Sequence, residues 1–451
     1  MKFELDKYFL DSIKEAALTG NDEVILKQMS DLHPSDSAEV IERLDFEEAS
    51  YVFRLLDPQN CTEILAELDE EVRNKLFINL TPKEIAQPFI EGMPSDDAAD
   101  IINELPEKLK DHVIAHIRDK EHAQSIVGLL HYHKDSAGGL MAKELIQANV
   151  NWNIEQCIRE VRQQAEDVKT FYTVYVVNDE GKLLGILSLK KLLLTQSSTL
   201  VKDIYFKDVI SVNTFTSSEE VSNLMKKYNI VSLPVVDALG MLVGRITIDD
   251  VVDVIHEEAE KDIQMMSGIS ERVEESDKVW VLSRARLPWL LIGLFGGIIS
   301  AVVIGKHEND LKIYPEMAFF IPLIGAMGGN AGVQSATIVV QGLANKSLIL
   351  GGIIGKLFKE FLVSLINGLT CAIVIFGYNF FITDTQHLGL TVSVSLLMVI
   401  IFASVFGTLV PLILDKLKID PALATGPFVT TANDIFGLTL YFIVGRMMYA
   451  G

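Results

Sequence analysis

From residue 287 onward the chain carries five apolar runs, at about residues 287–304, 317–343, 348–376, 388–414 and 423–448. Each approaches or exceeds the roughly 18 apolar residues that mark a bilayer-spanning helix. In hydrocarbon every backbone N–H and C=O must be satisfied internally, so runs of this length are read as spanning helices. The third is blurred at its start by Lys356, Lys359 and Glu360, which share one helical face and are expected at the cytosolic interface. Gly293 and Gly297, and Gly325 and Gly329, are small residues four apart and candidate close-packing sites.

Charge divides the chain at the same point. Of 39 Lys+Arg and 61 Asp+Glu, eight of each lie beyond residue 286, so the first 286 residues carry the whole net charge of −22. An acidic soluble half disfavours nucleic acid and favours cations as partners. Basic residues cluster before the first run (Arg284, Arg286), between the second and third, and between the fourth and fifth (Lys416, Lys418). By the positive-inside rule these segments face the cytosol, with the N-terminus inside and the C-terminus outside. The opening MKFELDKYFLDSIKEA has no apolar h-region, and no cleaved secretion signal is expected. Cys61, Cys157 and Cys371 are scattered, without a pairing or CxxC pattern, which fits a reducing compartment.

The fifth run contains GPFVTTANDIFG, with Asp434 in its middle beside Asn433, Thr430 and Thr431. A carboxylate at that depth costs about 2.5–3.5 kcal/mol on insertion scales. No Lys or Arg lies within the same helix core to neutralise it. Intramembrane acids mark ion paths. A second polar interruption, GAMGGNAGVQSATIVVQG, places Asn330, Gln334 and Ser335 in the second run. Uncharged groups of this kind also serve as interhelical hydrogen bonds. The donors are oxygen atoms, without Cys or His, which is hard-cation chemistry. Mg²⁺, held by one or two carboxylates through retained water, fits. Residue type alone leaves Co²⁺, Ni²⁺ and Mn²⁺ open. Irregular backbone near Gly426–Pro427 and Gly437 is expected to help line a path.

The first 128 residues repeat. Leu32, Leu44, Leu56, Leu68 and Leu80 are spaced by twelve, and Met93, Leu105 and Ile117 continue after a one-residue insertion. Pro34, Pro58, Pro82 and Pro106 are spaced by 24. Short helices punctuated by Pro and Asp imply a small all-α superhelix. Asp96, Asp97 and Asp100 cluster at one helix start, where N-capping by a solvated acid is the simpler explanation.

Residues 143–260 change character. YTVYVVNDEGKLLGILSLKKLL and VSLPVVDALGMLVGRITIDDVVDVI are two copies of strand, turn, strand, helix. They resemble the tandem CBS (Bateman) module, in which a G-x-x-T/S-x-x-D pattern contacts a nucleotide ribose. Gly244, Thr247 and Asp250 match it; the first copy has Gly185, Ser188 and then Lys191. The second copy ends in a dense acidic helix with Asp249, Asp250, Asp253, Glu257, Glu258 and Asp262. Like charges at i, i+3 and i, i+4 repel. A solvated acidic face is the ordinary reading; two acidic faces bridged by divalent cations is the alternative.

The whole order resembles the MgtE family of magnesium channels. The carrying motifs are DSAGGLM (135–141), GGNAGVQSAT (328–337), DPAL (420–423) and TTANDIFG (430–437). The resemblance implies a multidomain membrane protein: an acidic α-solenoid over 1–128, a linker over 129–142, an α/β CBS pair over 143–260, a connecting plug helix over 261–286 and a five-helix pore domain over 287–451. It implies a homodimeric channel in the cell membrane, not an enzyme, that imports Mg²⁺. Pore-metal residues would be Asp434, Asp420, Asn433 and Asn330. Regulatory Mg²⁺ would bind Asp96, Asp97, Asp100, Asp249, Asp250, Asp253, Glu257, Glu258 and Asp262 when the channel closes, with ATP a regulator at the CBS pair. Departures stand at Val333, where a polar residue is frequent, and at Lys261, where an acid can occur. The rivals are a CBS-regulated transporter of another solute and a Mg²⁺-sensing receptor. The first needs a basic or aromatic-lined site, and the second an output domain.

Overall fold

A computed structural model describes residues 5–78, 80–87, 89–166, 168, 170–273, 277–344, 352–382, 386–424 and 426–450. It divides into two units, Met1–His256 and Glu257–Gly451.

The twelve-residue period of the first unit is helix-cap chemistry written into the sequence. Leu56, Leu68, Leu105 and Ile117 each occupy a C-cap, and each is buried. The next residue caps the following helix: Asp57 before Pro58–Glu67, Asp69 before Glu70–Phe77, Pro106 before Glu107–His116. Pro34, Pro58 and Pro82 stand at the first helical position, where the missing N–H is harmless. Helices of eight to ten residues are marginal alone. They hold because Ile41, Val52, Ile64, Leu65 and Ile102 join one continuous core. That core runs on into Met141, Leu233, Val235, Ile246 and Val251, so the helical repeat and the second CBS copy share it. The first copy closes over a separate core around Ile146, Val174, Val176 and Leu187.

Each CBS copy is a three-stranded sheet. β1 (Gln147–Asn149), β2 (Thr173–Val177) and β3 (Leu183–Ser188) form one, and β4 (Val212–Asn213), β5 (Ser232–Val236) and β6 (Leu242–Thr247) the other. In both, the first strand pairs parallel with the second and the second antiparallel with the third. The expected hairpins are present, and their turns place Gly181 and Gly240 at φ of 85° and 81°, where a side chain would be strained. The short β1 and β4 were not expected. The helices Ile154–Gln164 and Ser218–Tyr228 that follow them were not expected either. Tyr175 Oη on β2 and Ser232 Oγ on β5 lie 2.7 Å apart and tie the two sheets together.

The helix after β3 is short, Leu189–Leu194, whereas that after β6 runs from Ile248 to Met266. Residues 261–286, expected to form one connecting helix, are instead divided. Residues 261–266 finish the long helix. Gly268 follows at φ 81°. From Val279 the chain is already in the first spanning helix.

Among the described residues, the second unit holds five helices long and apolar enough to cross a membrane: Val279–Lys306, Pro315–Ala344, Ile353–Phe381, His387–Lys416 and Pro427–Tyr449. The start of the third apolar run, residue 348, lies outside the described residues. The fifth helix is continuous through Gly437, contrary to the expected loosening, and Gly437 packs its open face on Val399 of the fourth helix. Glu360 packs against the second spanning helix, where its Oε1 accepts the Ser335 hydroxyl at 2.6 Å.

Candidate functional site

The first candidate site lies within the first unit. The helix Ser95–Glu104 places Asp96 and Asp97 in its first turn, and Asp249 and Asp250 begin the helix Ile248–Met266. Acids are locally favoured there, because the helix N-terminus carries a partial positive charge. The fold then brings Asp96 and Asp250 together, so local preference and tertiary approach conflict. Burial first, and then the charge of Asp250, raises the Asp96 carboxyl well above the ordinary range. Asp250 is pushed up to about 6 by burial, against the hydrogen bonds it accepts from Thr247. Those bonds are 3.1 Å from the Thr247 N–H and 2.6 Å from its hydroxyl. Burial, followed by the charges of Asp97, Glu104 and Asp250, pushes Asp100 up to about 7. Asp100 keeps more solvent contact than Asp96, so its carboxyl is the better screened of the two.

A clamp that the sequence did not reveal holds this acidic turn in place. Glu144 Oε2 accepts the Ser95 N–H and hydroxyl at 3.2 and 2.8 Å. The Lys143 N–H donates back to Ser95 Oγ at 2.9 Å. His122 Nδ1 lies 3.6 Å from the other Glu144 oxygen, and its Nε2 lies 3.2 Å from the Ile90 carbonyl. Burial opposes ionisation of Glu144, but hydrogen bonds from His122 and Ser95 outweigh it and hold the carboxyl below its usual range. The same bond raises His122.

Asp249 and Asp253 are exposed on the same helix. Farther along, in the second unit, Glu257 pairs with Arg272 at 2.6 Å and Glu258 with Lys261 at 3.2 Å. Asp262 is half-buried. Among the described residues no three carboxylate, imidazole or thiolate groups converge tightly enough to hold an ion directly. The Asp96–Asp250 pair suits a cation that keeps most of its water.

Of the nucleotide motif, Gly244 has a packing reason of its own: a Cβ there would sit 2.7 Å from the Met141 sulfur and 2.8 Å from the Ala142 carbonyl. Gly185 is held likewise by the Phe206 carbonyl. Thr247 and Asp250 are bonded to each other. In the first copy Lys191 sits over the Phe206 ring, 4.6 Å from its centroid.

The second candidate site lies in the second unit. Asp434 opens into a pocket of about 440 Å³ shared with Asn330, Thr430 and Ser300. Small residues of the second spanning helix make room for it: a Cβ on Gly325 would lie 3.5 Å from Asp434 Oδ1, and one on Gly329 3.2 Å from the Thr430 methyl. Gly293, expected to pack closely, faces open space. The close contact on the first helix is Gly296, where a Cβ would overlap Thr431. Asn433 turns away from the pocket. It is 1% exposed and fills the slot left by Gly332, and its Oδ1 and Nδ2 have no hydrogen-bond partner among the described residues. Asp420 lies before the fifth helix, exposed, accepting the Ala422 N–H at 2.8 Å.

The start of that fifth helix meets the end of the long helix. A Cβ on Gly268 would press on the Pro427 ring at 2.9 Å, and one on Gly426 would lie 3.2 Å from the Met266 carbonyl. Gln264 braces the same turn, donating to the Val273 carbonyl at 2.8 Å and accepting its N–H at 3.0 Å. Ser270 donates to the Ala285 carbonyl on the first spanning helix at 2.7 Å.

Sequence profiles agree with this division. Residues 32–135 match the MgtE intracellular N domain, 137–197 and 201–257 the CBS domain, and 321–444 the MgtE divalent cation transporter domain. The chain is 31% identical over 414 residues to the magnesium transporter MgtE of Bacillus subtilis, covering 92% of this chain and 91% of that one. It is 32% identical over 447 residues to the magnesium transporter MgtE of Thermus thermophilus, covering 97% and 98%. Among solved structures, the cytosolic domain of the Mg²⁺ channel MgtE in complex with ATP superposes with a TM-score of 0.51 at 32% identity, covering 54% of this chain and 99% of that one. The soluble part of a magnesium transporter gives 0.50 at 27% identity, covering 56% and 99%. With its acidic helical repeat, CBS pair and five-helix membrane unit, the chain belongs to the MgtE family of divalent cation transporters.

Proposed function

We propose that the protein is a Mg²⁺-selective channel that imports Mg²⁺ across the cell membrane and is closed by cytosolic Mg²⁺. The observation that carries this reading is the placement of Asp434. It opens into a pocket, otherwise lined by small and apolar residues, that Asn330, Thr430 and Ser300 also reach, on a helix whose first residues pack against the end of the long acidic helix. Asp434 and Asn330 would face the ion, with Thr430 and Ser300 completing its water shell. Asp420 would act at the cytosolic mouth, and Asn433 would position the fifth helix rather than touch the ion. Flux would follow the inside-negative potential, about 2.3 kcal/mol per charge per 100 mV.

Closure would follow from electrostatics. At high internal Mg²⁺, hydrated ions would bridge the faces carrying Asp96, Asp97 and Asp100 and Asp249, Asp250 and Asp253. At low Mg²⁺ these acids would repel, and the change would travel along the long helix to Gly426–Pro427. Glu257 and Glu258, once freed from Arg272 and Lys261, would take part, as would Asp262. The CBS pair would bind ATP as a modulator, with the ribose at Gly244, Thr247 and Asp250. The protein would be a homodimer, N-terminus cytoplasmic and C-terminus extracytoplasmic. Only 11% of the first span and 17% of the third is buried within one chain, which leaves apolar faces for a second copy and for lipid.

Mg²⁺ uptake into proteoliposomes by the wild type and by Asp434→Ala tests this reading. Uptake lost in the variant is expected; equal uptake refutes the pore assignment. No uptake by the wild type would favour the receptor.

A further inference from the structure

Arg245 lies inside the ribose motif, between Gly244 and Thr247, yet the motif does not require it. Its residue is nine-tenths buried. Its Nε has no hydrogen-bond partner, and among the described residues no carboxylate forms an ion pair with it. A guanidinium N–H cut off from water without an acceptor is costly to hold. The fold does not demand a cation here either. Arg245 pairs across β5–β6 with Pro234, and the equivalent position in the first copy, opposite Tyr175, is Ile186.

Its neighbours indicate what it faces. Along β6, Ile246 points into the hydrophobic core. Strand alternation therefore puts Arg245 and Thr247 on the opposite face, about 7 Å apart along the strand. Ser232, opposite Thr247 in the register, is on that face too, and its hydroxyl meets the Tyr175 hydroxyl of the other sheet. The charge of Arg245 reaches Tyr175. The guanidinium thus sits in the seam between the two CBS sheets, one side chain along from the hydroxyl that would meet a ribose.

We propose that Arg245 is the phosphate-recognising residue of the CBS pair, taking phosphate oxygens of a nucleotide whose ribose lies at Thr247 and Asp250. The assignment rests on the nucleotide reading above. A planar guanidinium presents paired N–H groups that match phosphate oxygens, which a lone ammonium does not. The anion would neutralise a charge that no described carboxylate pairs, and it would give the second copy a preference for phosphorylated nucleosides that the first copy, with Ile186, lacks.

The test uses the full chain in detergent, wild type and Arg245→Met, with ATP, adenosine and inorganic triphosphate followed by calorimetry. Methionine keeps the length and removes the charge. ATP affinity should fall by about tenfold or more, as for loss of a charge-assisted contact, while adenosine affinity stays within about twofold by the same scale. The ligand-free variant should melt no lower than the wild type, because a buried N–H without an acceptor has been removed. Equal ATP affinity in the two proteins overturns the assignment and leaves the nucleotide reading standing. A matching loss of adenosine binding, or a lower melting temperature, would make Arg245 a structural residue and overturn it as well. If the wild type binds neither ATP nor adenosine, the nucleotide reading fails. Triphosphate binding abolished in the variant would then keep Arg245 as an anion site, and no triphosphate binding would remove it.

Discussion

Gly426 and Met266 meet at the junction between the long acidic helix and the Asp434 helix, the Met266 carbonyl lying 3.2 Å from where a Gly426 Cβ would be. No side chain separates the two backbones, so a displacement of one is felt directly by the other. Gly426→Ala should hold the helices slightly apart. Uptake at low internal Mg²⁺ should persist, while half-inhibition moves to higher internal Mg²⁺ by about threefold to tenfold, the range of an allosteric coupling of about 1 kcal/mol. Unchanged inhibition in proteoliposomes loaded with graded Mg²⁺ would break the link.

Asp434→Asn separates charge from shape. The amide keeps the volume and one oxygen and loses the charge that attracts a divalent ion. Uptake should fall by at least about tenfold, since each 1.4 kcal/mol is one decade, with normal expression and melting. Wild-type flux in the variant would assign the attraction elsewhere.

Asp96→Asn removes one partner of the buried acidic pair without changing its size. The helical repeat and the CBS pair should then associate at lower Mg²⁺. Protease protection of the first unit, titrated with Mg²⁺, reports it. A requirement for more Mg²⁺ would mean that the Asp96 carboxylate contributes more as an ion ligand than as a source of repulsion.

Protons should substitute in part for cations. Asp96 and Asp250 have raised values, Asp250 about 6, and Asp100 about 7. A raised acid stabilises the associated state fully below its ordinary value near 4 and loses that contribution as pH rises through the shifted one. His122, raised by Glu144, acts in the same sense: its contribution is complete below its ordinary value near 6.5 and fades above it. In metal-free buffer the first unit should therefore be more protease-resistant at pH 5.5 than at pH 8. Equal resistance would show that the carboxylates are relieved by another route.

The parts of this fold that could be read from sequence are those fixed by local chemistry. Leu56–Asp57–Pro58 states a helix end, a cap and a helix start in three residues, and Leu68–Asp69 repeats the first two. Five apolar runs have few outcomes in a bilayer. Asp434 was legible because an unpaired acid among apolar residues has few structural uses. What escaped was tertiary. β4 is two residues long and carries no period. Glu144, in MAKELI, gives no sign that it will hold Ser95 and His122. The division of residues 261–286 between two helices falls at Gly268, φ 81°, which also lies against Pro427 from a distant part of the chain. Asn433 resembled a pore residue because it adjoins Asp434, but one step along a helix is a turn of about 100°, enough to send it to another neighbour.

Asn433 also bears on any attempt to engineer this protein. An interior amide whose two polar atoms find no partner among the described residues is a cost of about 1–3 kcal/mol that a well-fitting apolar group would remove. A screen for heat-resistant variants, often the first step towards crystals or cryo-EM grids of a transporter, would select position 433 early. The winners would fix the fifth helix in the arrangement described here. Thermal robustness and turnover should thus trade against each other at this residue, and a stabilised form would be a poor witness to how the helix moves.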